Sequence, residues 1–305
     1  MPELNPGFDI ERLVTSMRPR LHRYCARMVG SVIDGEVVLQ DALAKAMEAQ
    51  ATIGSIGNPD GWLFRIAHNT ALDFLRQRNR QEALRGPADV DMIIDPLDAV
   101  ESRQIAATSL RTFMRLPVAQ RSSVILMDVL GCSLKEICAV MDCSLPAAKA
   151  ALHRGRTQLR EIADEPEDAP QARLSDADRA RLGAYVDHFN ARDFDAIRAM
   201  ISDDVRLDLV SKTRMRGKAE VSSYFGNYAK VSDWHLVPGV VEGRPAILVF
   251  DPNGPEAGPK YFVLLEWAAG QVTAIRDFRY APYVIDGAEY LTSQERQDFG
   301  SNPPD

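Results

Sequence analysis

Residues 133–160 constrain the fold more than any other segment, because they carry the pattern of a helix-turn-helix. Ser133 and Glu136 form a capping box, which predicts that a helix begins there. Residues 142–144 form the predicted turn, and Pro146 fits the first turn of a second helix, where its missing N–H costs little. Apolar residues at helical spacing predict the inner faces of the two helices, which are Leu134, Ile137, Met141, Leu145, Ala148, Leu152 and Leu159.

The outer face of the second predicted helix is basic and comprises Lys149, His153, Arg154, Arg156 and Arg160. A basic helix presented in this way suits entry into the major groove of DNA. An ordinary helical hairpin with a cationic surface is the alternative interpretation.

A second amphipathic pattern spans residues 61–80 and predicts one helix. Its predicted inner face comprises Leu63, Ile66, Ala67, Thr70 and Phe74. Its predicted outer face comprises Trp62, Arg65, Asn69, Asp73, Arg76 and Arg80. An aromatic ring stacks on an unpaired base, an amide reads a base edge, and arginines bind phosphates. A solvated polar face with one exposed tryptophan is the alternative.

The two motifs, in this order, resemble regions 2 and 4 of the sigma-70 family, in the arrangement of the extracytoplasmic-function (ECF) group. The resemblance to region 2 is carried by residues 21–30, 34–41, 62–69 and 73–76, and that to region 4 by residues 116–121, 131–151 and 152–156. It covers about half the chain, roughly residues 10–162. It implies a sigma factor that binds core RNA polymerase and promoter DNA and directs promoter-specific initiation.

The resemblance also implies roles for individual residues. Those implied to bind the −10 element are Asn58, Trp62, Arg65, Asn69, Arg76 and Arg80. Those implied to bind the −35 element are Lys149, His153, Arg154 and Arg156. Those implied to contact core polymerase are Asp34, Glu36, Gln40 and Asp41. The chain departs from the family at Val37, a position that is usually acidic, and at Ala150 and Ala151, which replace a Ser-Arg pair near promoter bases. We therefore expect a −35 preference that differs from that of better-known relatives.

Residues 175–290 predict an α+β domain that resembles the cone-shaped SnoaL-like domain. The pattern predicts helices at 175–189, 190–205 and 217–225, and strands at 206–210, 234–241, 245–250, 261–267 and 272–278 in an antiparallel sheet. Five titratable residues are candidates to line a pocket, namely Tyr185, His188, Asp208, Tyr224 and His235. We expect a ligand-sensing or regulatory domain and not an enzyme, because the sequence contains no motif of nucleophile, base and orienting group.

The predicted fold class is multidomain, with two all-α sigma domains, a region 2 helical bundle and a region 4 helix-turn-helix, followed by the α+β SnoaL-like domain. The predicted boundaries are region 2 at 10–85, an acidic linker at 86–97, region 4 at 98–163, a second linker at 164–174, the SnoaL-like domain at 175–290 and a disordered tail at 291–305.

Composition limits the function further. The 305 residues carry a net charge of −7, which argues against a protein that coats DNA by charge alone. The chain shows no apolar run of membrane-spanning length and no N-terminal signal pattern, so we expect a cytoplasmic protein that does not bind membranes. We expect neither a metal nor a cofactor. Cys132 and Cys143 flank a helix and lie about 13 Å apart at helical rise, so we interpret Cys132, Cys138 and Cys143 as packing residues, with Cys138 in the core.

Two other functions remain open at this point. One is a one-component helix-turn-helix regulator whose C-terminal domain senses a ligand. The other is an enzyme attached to a DNA-binding module. The sigma factor is favoured because the outer face of residues 61–80 suits strand separation, for which a simple regulator has no need. A small-molecule ligand of the C-terminal domain is a further expectation.

Overall fold

The computed structural model describes residues 10–50, 56–83, 109–163, 174–254 and 257–292. The chain divides into two compact units, Met1–Asp168 and Ala169–Asp305. The predicted linker at 86–97, nearly all of the second linker and nearly all of the tail lie outside the described residues. Each unit has its own hydrophobic core.

The described part of the first unit is helical. Its α-helices are α1 (Ile10–Val29), α2 (Val32–Gln50), α3 (Pro59–Ala83), α4 (Leu110–Met114), α5 (Val118–Val124), α6 (Leu134–Met141) and α7 (Leu145–Ala163). A π-helical turn, Ile125–Val129, continues α5. Helices α1, α2 and α3 pack against one another as the bundle predicted for region 2. Helices α1 and α2 approach closely at Gly35, where an added Cβ would lie 2.6 Å from the Cα of Ala26.

Helix α3 forms as predicted, but its buried face is wider than the pattern indicates. Leu63, Ala67 and Thr70 are buried, whereas Ile66 and Phe74 are only half-buried. The other buried residues on this helix are Phe64, His68, Ala71 and Leu75. The buried face is wider because α3 packs against three helices, α1, α2 and α6, on more than one of its sides.

The helix-turn-helix begins and turns where the sequence predicts. The Oγ of Ser133 accepts a bond from the backbone N of Glu136 at 3.3 Å, and Glu136 Oε2 accepts one from the backbone N of Ser133 at 2.7 Å. Helix α6 ends at Asp142 in the left-handed conformation, with φ of 53°. The Oγ of Ser144 caps α7 by accepting from the N of Ala147 at 3.4 Å.

The predicted helix-turn-helix core differs from the structure at several residues, and Leu134 and Met141 are only half-buried. Leu145 is 47% exposed, because it occupies the first position of α7, before the helix reaches the packed residue Ala148. Cys138 is half-buried and does not lie inside the core, which on α6 is formed by Ile137 and Val140.

The described residues of the second unit form three α-helices and one mixed sheet. The helices are α8 (Asp176–Asn190), α9 (Phe194–Met200) and α10 (Lys218–Tyr228). The strands are β1 (Ile201–Leu209), β2 (Thr213–Arg216), β3 (His235–Val241), β4 (Arg244–Phe250), β5 (Tyr261–Ala268), β6 (Gln271–Asp277) and β7 (Tyr290–Thr292). The strand order is β2-β1-β6-β5-β4-β3-β7. Strands β3, β4, β5 and β6 match the predicted segments to within a residue.

The prediction of an antiparallel sheet is wrong at one pairing, because β1 runs parallel to β6. The predicted second helix also ends too late. Residues 201–205 belong to β1, where Ile201 and Val205 are buried and Asp203 is exposed. The short edge strands β2 and β7 were not predicted. The observed mixed sheet still gives the multidomain fold class that the sequence indicates.

Candidate nucleic-acid interface

The residues expected to bind the −10 element lie along the solvent side of α3 or just before it. Arg65, Asn69, Arg76 and Arg80 are exposed, and Trp62 is half-buried. Asn58 precedes the helix, and its Oδ1 accepts a hydrogen bond from the backbone N of Gly61 at 3.0 Å. That amide oxygen therefore shapes the start of α3.

Two arginines of this face pair with carboxylates. Arg65 lies 3.4 Å from Oδ2 of Asp142, in the turn of the helix-turn-helix, and Arg76 lies 3.0 Å from Oδ1 of Asp73. All four side chains are more than half exposed. Exposed ion pairs contribute at most about 1 kcal/mol. A phosphate can therefore replace either carboxylate at little cost.

The residues expected to bind the −35 element divide into two groups. Lys149 and Arg154 are exposed on α7, and His153 is half-buried. Arg156 instead donates from Nε to Oδ2 of Asp128 at 2.9 Å and from its terminal nitrogen to Oδ1. The Asp128 side chain is only 1% exposed. This bond raises the pKa of Arg156 and joins α7 to the π-helical turn, so in the described structure Arg156 stabilises the region.

One of the four residues expected to contact polymerase lies inside the bundle. Glu36 is fully buried, and its Oε1 accepts from Arg18 at 3.1 Å and from Gln40 at 3.3 Å. Asp41 is exposed, and Asp34 and Gln40 are half-buried. Glu36 therefore orients Arg18 and Gln40 from inside the bundle. The accessible residues of the predicted polymerase contact are Asp34, Gln40 and Asp41.

Buried polar residues join the α1–α3 bundle to the helices after residue 109. The hydroxyl of Tyr24 lies 2.7 Å from Nδ1 of His68 and 2.7 Å from Oγ of Ser122. Arg121 donates to the carbonyls of Met28, Met114 and Leu116, the last two at 3.1 and 2.9 Å. None of these joining contacts was predicted, because each one between α1, α3 and α5 links residues more than 40 positions apart.

Burial sets the charge of two groups at this junction. It lowers the pKa of His68 to about 4, so the imidazole is neutral near pH 7. It lowers the pKa of Arg121 to about 10, which leaves the guanidinium charged near pH 7. The three carbonyls that accept from Arg121 offset part of the cost of burying this charge.

In the second unit a buried carboxylate organises a cluster of tyrosines. Asp277 is fully buried at the end of β6, and Oδ2 accepts from the hydroxyls of Tyr224 at 2.8 Å and Tyr228 at 2.7 Å. Its Oδ1 accepts from the backbone N of Arg279 at 2.8 Å. The hydroxyl of Tyr261 lies 3.1 Å from that of Tyr228 and accepts from Arg279 at 2.8 Å. Burial raises the pKa of Asp277 despite these donors.

The structure brings together only two of the five predicted pocket residues. Tyr185 and Tyr224 are both buried, and Tyr224 donates to Asp277. Burial, followed by the nearby charge of Asp277, raises the pKa of both tyrosines. The other three make separate contacts or are exposed. His188 lies 3.5 Å from Asp193, Asp208 lies 3.5 Å from both Arg214 and Arg276, and His235 is exposed at the start of β3.

The residues that sequence reasoning missed in this cluster are Tyr228, Tyr261, Asp277 and Arg279. Alternation along a strand indicates which face a residue occupies, but it does not identify a polar partner on another element. Among the described residues, no group of three or more His, Cys, Asp or Glu side chains is arranged to hold a metal ion. In the same residues, no helix has the length and apolar character required to cross a membrane.

Comparison with known families assigns all three parts of the chain. Residues 13–81 match sigma-70 region 2, residues 110–159 match sigma-70 region 4, and residues 182–279 match the SnoaL-like domain. The chain is an ECF-type member of the sigma-70 family with a C-terminal SnoaL-like domain. The first two matches include most of α3 and α7 and all of the exposed residues described above on these helices.

The relatives of this sigma-70 family chain include two mycobacterial sigma factors. The ECF RNA polymerase sigma factor SigE of Mycolicibacterium smegmatis is 29% identical over 160 residues, which span 51% of this chain and 61% of the relative. The ECF RNA polymerase sigma factor SigG of Mycobacterium tuberculosis is 24% identical over 295 residues, 86% of this chain and 78% of the relative. The crystal structure of M. tuberculosis SigJ matches with a TM-score of 0.34 and 16% identity, over 88% of this chain and 95% of that one.

Proposed function

We propose that this protein binds core RNA polymerase in the cytoplasm and directs promoter-specific initiation. Region 2, at residues 10–85, binds the −10 element through the outer side of α3. Region 4, at residues 98–163, binds the −35 element through α7. The supporting observation is that each helix presents exposed cations away from its packed face, Arg65 on α3 and Lys149 and Arg154 on α7.

The residues on α3 suit recognition of unpaired DNA. Trp62 offers an aromatic ring at the solvent boundary, and exposed Asn69 lies two helical turns further along the same side. Stacking on an aromatic ring contributes about 1–3 kcal/mol per base, and an amide can read a base edge. Arg76 and Arg80 extend the face toward the phosphate backbone.

The proposed polymerase contact lies on α2 and comprises Asp34, Gln40 and Asp41. These side chains are at least partly accessible, whereas the buried Glu36 accepts a hydrogen bond from Gln40. The polymerase supplies affinity that the acidic chain, with its net charge of −7, lacks for free DNA.

For the C-terminal domain at residues 175–290 we propose a regulatory and non-enzymatic role, including response to a small molecule. Its Asp277 already accepts hydrogen bonds from two tyrosines and a backbone N–H. A carboxylate enclosed in this way is better suited to holding the sheet and α10 together than to moving protons to and from a substrate.

Run-off transcription tests the proposal. Purified core polymerase is combined with the full-length protein and fragmented genomic DNA, and the transcripts are sequenced. We expect discrete start sites that require the protein. The variants Trp62→Ala and Arg154→Ala are expected to reduce these transcripts, and Lys135→Ala, an exposed cation on α6, serves as the matched control.

The same assay tests the role of the C-terminal domain. We compare the full-length protein with a chain that ends near Arg173 and expect their transcript yields to differ. A higher yield from the shorter chain means that the C-terminal domain inhibits transcription, and a lower yield means that it activates transcription. Absence of transcripts, with DNA binding that needs no polymerase, would contradict the proposal and favour the one-component regulator.

A further inference from the structure

Two cysteines meet at the turn of the helix-turn-helix. Cys138 lies in the last turn of α6, and Cys143 follows Asp142, which ends that helix in the left-handed conformation. The backbone N of Cys143 donates to the carbonyl of Cys138 at 3.2 Å. The backbone N of Asp142 donates to the same carbonyl, so the chain folds back at the end of α6 and brings residues 138 and 143 close together.

The geometry satisfies the first requirement of a disulfide. With standard bond lengths, the hydrogen bond places the two Cα atoms within about 7 Å of each other. A disulfide needs Cα atoms closer than about 7 Å. Burial, followed by the neighbouring Cys138 side chain, raises the pKa of Cys143, which is consistent with this short separation.

Exposure distinguishes this pair from the other two cysteines. Cys138 and Cys143 are half-buried, whereas Cys25 and Cys132 are buried. Burial limits the access of dissolved oxidants to the thiols of Cys25 and Cys132. An oxidant in solution can therefore reach the pair more readily than the remaining thiols.

We propose that Cys138 and Cys143 form a redox modification site, at which peroxide produces a reversible intramolecular disulfide. One thiolate attacks the peroxide, forming an S–O bond while the O–O bond breaks and hydroxide leaves. The second sulfur then attacks the sulfenic sulfur, an S–S bond forms, and water leaves. The two thiols lose two electrons and two protons, and one hydrogen peroxide becomes two waters.

The surroundings set the rate of this oxidation. Burial, followed by the neighbouring Cys138, raises the pKa of Cys143, so its thiolate is scarce near pH 7. Oxidation is therefore slow at neutral pH and accelerates as the pH rises. A site of this kind responds to sustained oxidant, and a dithiol reductant reverses it.

The crosslink acts at a position that matters for DNA binding. It closes the loop that contains Asp142, the partner of Arg65, immediately before the cap of α7 at Ser144. The effect on promoter recognition rests on the proposed function, whereas formation of the disulfide does not. We expect oxidation to lower promoter-directed transcription, because it restrains the turn from which α7 extends.

Peptide mapping of the full-length protein tests the disulfide. The two cysteines share one tryptic peptide, residues 136–149, because no Lys or Arg lies between Lys135 and Lys149. After hydrogen peroxide treatment and alkylation, we expect this peptide to be unalkylated and two hydrogen atoms lighter than its reduced form. Dithiothreitol should restore both alkylation sites. Persistence of two alkylated cysteines, or a crosslink to another cysteine, would refute the proposal.

Matched variants guard against a misfolded sample. Cys143→Ser and Cys138→Ser each leave a single thiol in the peptide. That thiol cannot form the intramolecular disulfide, so the peptide should show no loss of two hydrogen atoms after peroxide treatment. Peroxide should then lower transcription by the wild type and spare Cys143→Ser. Equal loss in both would refute the effect on promoters. If even the reduced wild type gives no transcripts, the proposed function fails while the mapping result still stands.

Discussion

The hydroxyl of Tyr24 lies 2.7 Å from Oγ of Ser122, a residue 98 positions further along the chain. The same hydroxyl contacts Nδ1 of His68, so α1, α3 and α5 meet at one buried point. This contact joins regions 2 and 4 through hydrogen bonds as well as apolar packing. Its loss should therefore be measurable as a loss of stability.

We expect Tyr24→Phe to lower the free energy of unfolding by about 1–2 kcal/mol. The change removes the shared hydroxyl, but His68 and Ser122 lie 3.2 Å apart and retain each other as partners. Urea denaturation of the full-length protein measures the shift. Tyr280→Phe is the matched control, since Tyr280 is 49% exposed and should change stability by less than about 0.5 kcal/mol. Equal effects of the two changes would contradict this prediction.

Gly35→Ala should destabilise the first unit by about 1–3 kcal/mol, because the new Cβ would lie 2.6 Å from the backbone of α1. Gly183→Ala should instead raise the free energy of unfolding. Gly183 lies within α8, and an added Cβ there meets nothing within 4 Å, so the change should stabilise by about 0.5–1 kcal/mol. Denaturation midpoints of the two variants test the pair, and a stabilising Gly35→Ala would be inconsistent with the close helix approach.

Arg156→Ala and Arg154→Ala should separate stability from DNA binding. Removing Arg156 leaves the carboxylate of Asp128 buried without its bidentate partner, which should cost about 2–3 kcal/mol. Removing exposed Arg154 should leave stability nearly unchanged and weaken promoter binding. Urea midpoints measure the stability of each variant, and the binding of promoter DNA by the holoenzyme at several salt concentrations measures its effect on DNA binding. The prediction is wrong if Arg156→Ala binds less tightly without any loss of stability.

Stability of the first unit should fall as the pH is lowered from about 6.5 to 4. Burial lowers the pKa of His22 and of His68 to about 4, from an ordinary value of 6.5. In that window the unfolded chain binds more protons than the folded one, so acid favours unfolding by up to roughly 3 kcal/mol for each histidine. Urea midpoints from pH 7.5 to 4.5 measure the slope.

Matched variants assign that slope to the buried histidines. His68→Gln should reduce the pH dependence, whereas His235→Gln, at an exposed position, should retain it. A slope that survives unchanged in His68→Gln would show that another group is responsible.

Several elements were predictable because their causes are local. The capping box of Ser133 and Glu136 joins residues three apart, and it forms as the sequence indicates. The outer side of α3 and four strands of the SnoaL-like domain follow from periodicity alone. The parallel pairing of β1 with β6 was not predictable in this way, because the two strands are separated by more than 60 residues and alternation does not indicate direction.

The polar partners were decided by the fold. Arg156 looked like a promoter-binding residue because it follows Lys149 and His153 on α7, yet Asp128 lies close enough to hold it. Glu36 looked exposed on an acidic helix, yet Arg18 pairs with it inside the bundle. In both cases two oppositely charged side chains, 18 or 28 residues apart, meet only after the helices pack.

The sequence by itself determined where most helices and strands form, which sides of α3 and α7 carry cations, and to which family the chain belongs. These properties depend on residues within one or two turns of each other. Only the tertiary structure decided which charges on α3 and α7 remain exposed and which carboxylate accepts hydrogen bonds from the tyrosines of the second unit. Those outcomes depend on burial and on distances between residues, and both arise when separate elements pack.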